Sequence, residues 1–331
     1  MKIQFITIIF LVYFSYVFGQ ENYVEYHKQA REIENRILDS SYSKAVEMYH
    51  SLFEKYDFVF AEDCFRAAQT AVIDNDSTSA LTFLERATKQ GVKKEKVMMD
   101  SVLIGLKKSK FWTEYEQNYD SLRNIYLVSI NWELRSKINE IYDLDQLYRD
   151  KHELHPWNFL WRPLIGVKWK KVVTQIVENE LTPLILKYGF PNEKLIGVDV
   201  AAFHHKHQYD KLKSNFAFII LVHYYSHPRP ASLNDILLSN IETGNISPNQ
   251  YGSLIDFQAQ WGRNKYYKGL HYNEWHSAKD EKDNEQINKN RVAIGLESFE
   301  TRKIKFQRGL DACKERKKGN YQHVRFWIYC G

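Results

Sequence analysis

Hydrophobic residues in the N-terminal half of the chain recur at steps of three and four positions. One series consists of Tyr42, Ala45, Val46, Tyr49, Leu52, Phe53 and Tyr56, and the next of Phe60, Cys64, Ala67, Ala68 and Ala71. Steps of this size place the apolar side chains on one face of an α-helix. The pattern predicts two amphipathic helices that pack against each other.

Turn residues and glycines indicate where further helices begin and end. Asp74-Asn75-Asp76-Ser77 supplies an N-cap for a helix over residues 79–90, and Gly91 follows where a helix stops. All seven prolines lie between Pro156 and Pro248, so nothing in the N-terminal half interrupts a helix. Additional helices are predicted over residues 94–107, 111–126 and 131–148.

The first helices also show a weak internal repeat. The segment 43–49 aligns with the segment 78–84 and sets Ala45 over Ala80, at an offset of 35 residues. This offset is close to the ~34-residue period of tetratricopeptide repeats, so the segment resembles a degenerate array of that kind. The Trp and Gly-Tyr positions of the repeat are missing, and a stack of other helical hairpins is the alternative.

The C-terminal half is also predicted to be mostly helical. An aromatic, proline-bracketed segment at 155–163 puts a boundary near residues 150–165. Helices are expected over 172–187, before Gly189-Phe190-Pro191, and around 236–241, and the apolar run 216–225 favours a helix over a buried strand. The expected fold is mainly α: a tetratricopeptide-like hairpin stack over residues 20–150, then a domain over 151–331 with a basic tail from about residue 301.

Residues 1–19 have the features of a cleavable signal peptide. A positive start at Lys2 precedes an apolar run over residues 5–14, and Val17-Phe18-Gly19 is suited to cleavage after Gly19. The apolar stretch is shorter than the ~20 residues that span a bilayer. The sequence therefore predicts an exported protein, periplasmic or extracellular, without stable membrane insertion after cleavage.

Charge gives little support for a polyanionic partner. The net charge of +5 falls to +4 without Lys2, and the signs are mixed along the chain, which disfavours nucleic-acid binding. One stretch is biased, with Arg302, Lys303, Lys305, Arg308, Lys314, Arg316, Lys317 and Lys318 against Asp311 and Glu315. A solvated helix face is favoured there over a site for an anionic partner.

The chain contains three cysteines, Cys64, Cys313 and Cys330. An odd number cannot pair fully within the chain, so no disulfide framework is predicted. An oxidising compartment would permit a bridge between Cys313 and Cys330, although their spacing alone does not establish it.

Histidines concentrate in the C-terminal half. Seven of the twelve lie between His204 and His276, and imidazole is both a common metal ligand and a general base near neutral pH. If the helix reaches His227, then His223 and His227 share a face, and with His204 they form a candidate site for a divalent metal ion. Surface or core histidines are favoured over this metal site, because Tyr224 stands where a metalloprotease motif has its glutamate and Pro228 follows at once.

A second group of candidate residues, Asp145, Gln146 and Arg149, lies at the end of a predicted helix. Asp145 and Arg149 are four residues apart, so an ordinary intrahelical ion pair explains them simply. The functional alternative places Gln146 and Arg149 at a pocket between the two halves.

Several of these segments together resemble a bacterial domain of unknown function. The segments in order are Asp145-Gln146-x-x-Arg149, residues 187–191 leading to Leu195-Ile196-Gly197, His223 after an apolar run, and residues 291–296. That family has DQxxR and HADHD-like segments, and the resemblance covers residues 140–300. The chain has His223-Tyr224-Tyr225 where the family has His-Ala-Asp, so the family's aspartate is absent. The resemblance implies the domain boundary and these site residues but no activity.

Two functions remain open from the sequence, beside a purely structural exported domain with no dedicated pocket. The first is an exported binding or scaffold protein of the bacterial envelope, whose stacked helices recognise a protein or peptide. The alternative is a hydrolase, metal-assisted or not, with His223 as base or ligand and with Asp145 and Arg149 orienting the substrate. Nucleotide-binding loops and nucleophile elbows do not occur in the sequence.

Overall fold

A computed structural model describes residues 22–153, 162–199, 213–227, 229, 232–260, 271–272, 281–320, 322–324 and 326. These residues form helices joined by turns, and no β-strand occurs among them. The expected mainly α fold is therefore confirmed. The predicted signal peptide lies outside the described residues.

The N-terminal half is a series of seven described helices. In chain order they are α1 (Tyr23–Leu38), α2 (Tyr42–Lys55), α3 (Ala61–Ile73), α4 (Ser77–Lys89), α5 (Lys94–Met99), α6 (Ile104–Lys107) and α7 (Lys110–Ser129). Helix α1 packs on α2, α3 on α4, and α4 on α7. Ala45 and Ala80, aligned in the sequence at an offset of 35, are both fully buried, as a close contact between helices requires.

Local chemistry sets the boundaries of α4 as expected. The Asp76 carboxylate accepts a hydrogen bond from the Ser79 amide at 3.0 Å, which satisfies a free donor of the first turn. At the other end Gly91 has a φ of 102°, a conformation that ends a helix and favours glycine.

The predicted helix over 94–107 is wrong in one respect, because a turn divides it into α5 and α6. The buried Asp100 carboxylate accepts hydrogen bonds from the amides of Val102 and Leu103 at 2.9 and 3.3 Å. A short polar side chain that binds the backbone in this way competes with the helix. Gln69 of α3 also donates to Asp100 at 2.8 Å, which ties the turn to α3.

The C-terminal half begins with two long helices. Its elements are α8 (Trp132–Glu153), α9 (Arg162–Gln175), a π-helical turn (Ile176–Leu181), α10 (Thr182–Tyr188), α11 (Glu193–Ile196), a 3₁₀ turn (Lys213–Asn215), α12 (Phe216–Tyr225), α13 (Asn234–Glu242), α14 (Pro248–Gln260), α15 (Glu281–Ala293) and α16 (Phe299–Lys317). The apolar run 216–225 is thus a helix. Helix α12 packs against α8, α9 and α14.

Two clusters of buried apolar side chains divide these helices between them. The first is built mainly from α1 to α7, and the second from α8 onward, beginning at Leu134 and ending at Leu296. The division falls between α7 and α8, which precedes the predicted boundary at 150–165, because Leu134, Ile138 and Ile141 of α8 belong to the second cluster. Val324, near the C-terminus, returns to the first cluster.

A group of buried charges joins the first helices to the last one. Glu34 of α1 contacts Arg31 at 2.8 Å, Arg66 of α3 at 2.7 Å, and Lys305 of α16. Glu297, just before α16, contacts Arg31 at 3.3 Å and Lys305 at 3.7 Å. We call these five residues the Glu34 cluster. Burial raises the pKa of Glu34, but Arg31, Lys305 and Arg66 outweigh it and hold that pKa below its usual value.

The cysteines differ in their states. Cys64 is a buried free thiol, whereas Cys313 on α16 is disulfide-bonded. The predicted partner Cys330 lies outside the described residues. Among the helices that the structure describes, none is long and apolar enough to cross a membrane.

Candidate functional site

Asp145 lies at the contact between α8 and α12. Ile138, Ile141 and Asp145 follow one another at steps of three and four on α8, and all three are buried. The same periodicity that directs the two isoleucines into the second apolar cluster therefore directs the Asp145 carboxylate inward. His223, in the last turn of α12, faces it.

Asp145 and His223 form a direct hydrogen bond. The Asp145 Oδ2 to His223 Nδ1 distance is 2.6 Å, although 78 residues separate the two positions. The Asp145 side chain is fully buried, and 13% of the His223 side chain is exposed. The structure thus brings the DQxxR segment and His223 together.

Two further donors hold the Asp145 carboxylate. The Gln146 amide donates to Oδ2 at 2.9 Å, and the Trp169 indole N–H donates to Oδ1 at 3.3 Å. Arg149 donates to the Gln146 carbonyl oxygen at 3.1 Å. Gln146 therefore supports the Asp145–His223 pair by a hydrogen bond, and Arg149 supports it through Gln146. The Asp145 carboxylate is too deeply buried to orient a substrate directly, which is the role that the sequence had suggested for it.

Trp169 is the residue of this site that sequence reasoning missed. Its ring lies 5.3 Å from the His223 ring and 6.5 Å from the His227 ring, edge-on to both. The helix predicted at 172–187 began too late to include Trp169, whereas α9 begins at Arg162. A signal was present in the sequence, because Trp169, Val173 and Ile176 continue the apolar spacing of that helix backward by one turn.

The expected helical pair of His223 and His227 is not formed. Helix α12 ends at Tyr225, with Ser226 as its C-cap, so His227 lies beyond the helix and cannot share a helical face with His223. Pro228 explains the early end, because a proline disfavours helical geometry in the residue before it. The His227 ring still lies 6.5 Å from the Trp169 ring, edge-on to it.

The described part of the chain supplies no third ligand for the predicted metal site. No group of three His, Cys, Asp or Glu side chains there is arranged to hold a metal ion. His204, the remaining predicted ligand, lies outside the described residues. The set of His204, His223 and His227 therefore stays a prediction.

The hydrogen bond to Asp145 defines what His223 can do chemically. A carboxylate oxygen only accepts, so a neutral imidazole beside it donates from Nδ1 and carries its lone pair on Nε2. No described residue forms a hydrogen bond with Nε2. An oriented imidazole with an accessible lone pair is the arrangement of a general base.

The two tyrosines that follow His223 supply no acidic group to it. Tyr225 is a core residue with 1% exposure. Tyr224 donates to Glu178 of the π-helical turn at 3.0 Å, and burial together with that glutamate raises the pKa of Tyr224 to about 12. The acidic partner of His223 is Asp145 of α8.

Comparisons with protein-family models, with curated proteins and with solved structures find no match for this chain. The resemblance to a bacterial domain of unknown function therefore stays a prediction from the sequence.

Proposed function

We propose that this protein is a hydrolase in which His223, oriented by Asp145, is the general base. The observation that carries this proposal is the 2.6 Å hydrogen bond between a fully buried carboxylate and an imidazole that keeps one nitrogen accessible. A buried carboxylate with no structural counter-ion role, paired to a partly exposed histidine, is typical of acid–base sites.

In the proposed reaction His223 Nε2 removes a proton from a water molecule as that water attacks an electrophilic carbonyl or phosphoryl centre. The imidazolium formed is stabilised by Asp145 and then returns the proton to the leaving group. Trp169 and Gln146 keep the carboxylate in place, so they are positioning residues. In the metal-assisted alternative His223, His227 and His204 would hold a divalent metal ion, and His223 would then be a ligand instead of the base, because its Nε2 has a single lone pair.

The test is a survey of hydrolytic activity with matched variants. The purified protein is assayed on chromogenic carboxylic esters, phosphoesters and peptides, beside His223→Asn and Asp145→Asn. His50→Asn is the control, because His50 is also partly buried and its Nε2 is engaged with Ser79 at 2.8 Å. We expect His223→Asn to lower the rate by about 10²–10⁴-fold and the control to leave it unchanged.

Hydrolytic activity that is retained in His223→Asn would contradict the proposal, and so would a lack of activity of the unaltered protein on every substrate class. Metal analysis of the purified protein distinguishes the metal-assisted form of the proposal from the metal-free form. Stoichiometric zinc, manganese or iron that is lost in His227→Asn supports the metal-assisted form, whereas sub-stoichiometric metal in an active enzyme supports the metal-free form.

We also propose that the protein is exported, as its first residues suggest. The disulfide at Cys313 supports this location, because disulfides persist in oxidising compartments and are rare in the cytosol. Fractionation of cells that produce the full chain would test it, with recovery in the cytosol as the contrary result.

A binding or scaffold protein of the envelope is the second candidate function. Ile125 and Val128 of α7 and Trp132, the first residue of α8, are 51%, 77% and 51% exposed. Exposed apolar side chains of this size suit contact with an apolar protein or peptide segment. A pull-down from envelope extract tests it, since a specific partner should be lost with Ile125→Ser/Val128→Ser and kept with His223→Asn.

A further inference from the structure

Helix α16 carries a mixed apolar and basic surface that the proposed reaction does not use. Its inward side holds Lys305, Gly309 and Ala312, all of which are buried. The opposite side presents Lys303, Phe306, Leu310, Lys314 and Lys317, which we call the α16 outer face. These residues follow one another at steps of three and four, so they lie in one row along the helix.

The outer face differs from an ordinary solvated helix in its large apolar residues. Phe306 is 50% exposed and Leu310 is 37% exposed, and the adjacent Ile304 is 53% exposed. In the row Phe306 and Leu310 are neighbours, with Lys303 before them and Lys314 and Lys317 after them. The sequence alone favoured a solvated face here, because the charges were visible but the outward direction of Phe306 and Leu310 was not.

The charge of the outer face is positive and only partly neutralised. The acidic residues of the helix beyond its first turn, Asp311 and Glu315, contact Lys314 at 3.1 Å and Lys318 at 2.7 Å. Both are exposed pairs at i, i+3, which contribute little and rearrange easily. The positive charges of Lys303, Arg308 and Lys317 are additional to these two pairs.

The rest of the fold holds this row in place. Lys305 contacts Glu34 of α1, and Arg308 donates to the Leu38 carbonyl oxygen at 3.4 Å. A helix of 19 residues is about 28 Å long, so the lysines and apolar side chains form an extended and preformed strip.

We propose that the α16 outer face docks the protein on a bilayer surface that contains anionic phospholipids. The lysines contact the phosphate headgroups, and Phe306 and Leu310 enter the boundary between headgroups and acyl chains. Such surfaces bind peripheral proteins by this combination of cations and a few apolar side chains. Charge alone would also suit an acidic protein, but two exposed apolar side chains with lysines on both sides favour the lipid interface. The binding is peripheral and independent of the histidine site.

The test is flotation of the purified full chain with vesicles of phosphatidylcholine alone or of phosphatidylcholine mixed with phosphatidylglycerol. We expect binding to the mixed vesicles, little binding to phosphatidylcholine alone, and weaker binding as salt is raised. Both Lys303→Gln/Lys314→Gln/Lys317→Gln and Phe306→Ser/Leu310→Ser should lower the affinity at least about tenfold, with circular dichroism showing that each variant stays folded.

Two control variants make the result specific to α16. Lys28→Gln/Lys44→Gln/Lys55→Gln removes the same charge from exposed positions of α1 and α2. Leu164→Ser/Val167→Ser/Lys168→Gln/Lys171→Gln alters a shorter mixed face on α9, where the two apolar residues are 64% and 67% exposed. Both controls should bind as the unaltered protein does. No binding to mixed vesicles, equal binding to both vesicle types, or losses in the controls as large as in the α16 variants would overturn the proposal.

Discussion

The Glu34 cluster and the Asp145–His223 pair are both buried and charged, but they are built differently. Glu34 contacts two arginines and a lysine, and the cluster links α1, α3 and α16 through groups that are buried except for Arg31, which is 19% exposed. Asp145 has no lysine or arginine in direct contact among the described residues, and its donors are an imidazole, an amide and an indole.

This difference distinguishes a buried charge that stabilises the fold from a buried charge that positions a reactive group. In the Glu34 cluster each carboxylate contacts at least two cationic side chains, so its charge is compensated within the fold. At the second site the donors hold the Asp145 carboxylate in position for His223, and the His223 side chain is partly exposed. A buried carboxylate therefore indicates a reactive site when its partner is titratable and partly exposed, and a structural one when its partners are permanent cations.

The largest effect is expected from Lys305→Met. The substitution keeps much of the side-chain volume but leaves Glu34 and Glu297 with one cation fewer in a buried position. We expect a loss of about 3–5 kcal/mol in the free energy of unfolding, measured by urea denaturation. Glu25→Gln is the control, because the exposed pair of Glu25 with Lys28 contributes only about 0.3–0.5 kcal/mol. A Lys305→Met loss as small as this control would show that the cluster is not a structural junction.

Asp145→Asn should cost less stability than Lys305→Met. No permanent cation is left unpaired, and the asparagine oxygen can still accept from Trp169 or Gln146. We expect a loss of about 1–3 kcal/mol in the same urea experiment. A loss that equals or exceeds that of Lys305→Met would mean that the two buried carboxylates do not differ in the way proposed.

The pH dependence of the free energy of unfolding should show that His27 is neutral in the folded protein. His27 packs beside Tyr26 and Phe60 near the Glu34 cluster. Burial and the Arg31 charge lower the pKa of His27 to about 3. As the pH falls below the unfolded-state pKa of the histidine, ~6.5, the unfolded chain binds a proton that the folded chain does not bind. The free energy of unfolding therefore falls as the pH falls. His27→Leu should remove about 1.4 kcal/mol per pH unit from this slope between pH 6 and pH 5.

The slope must be compared between the variant and the unaltered protein, because Glu193 acts with the opposite sign. Burial and the nearby Asp63 and Glu62 raise the pKa of Glu193 to about 8. The folded protein then keeps a proton that the unfolded chain has released, so this contribution to stability falls as the pH rises toward 8. Identical slopes in the two proteins would show that His27 is not held neutral.

Trp169→Phe should have the smallest effect on stability. It removes the indole N–H that donates to Asp145 at 3.3 Å but keeps an aromatic ring beside His223. We expect a loss of about 0.5–1.5 kcal/mol in the free energy of unfolding. Hydrolytic activity should fall by more than in the control Trp112→Phe, where the altered ring contacts Tyr115 of α7. Equal effects on activity would remove Trp169 from the site.

The sequence predicted many helices because their apolar residues recur at regular steps, as in α2 and α3. It failed where a side chain competes with the backbone, as Asp100 does between α5 and α6. The residues of the candidate site were identifiable one by one, but their convergence was not. Periodicity shows that Asp145 points inward; it does not show that His223, 78 positions away, is its partner. Trp169 was missed because the predicted helix began at residue 172, after the crossing segment at 155–163, whereas α9 begins at Arg162.

The most direct test of the account is the tautomer of His223, read from its imidazole nitrogen chemical shifts by NMR at a pH where the ring is neutral. The account predicts a single tautomer protonated on Nδ1, with Nε2 free to act as a base, and a mixture of tautomers in Asp145→Asn. A His223 ring protonated on Nε2, or the same tautomer distribution in both proteins, would contradict the claim that Asp145 fixes His223 as a general base.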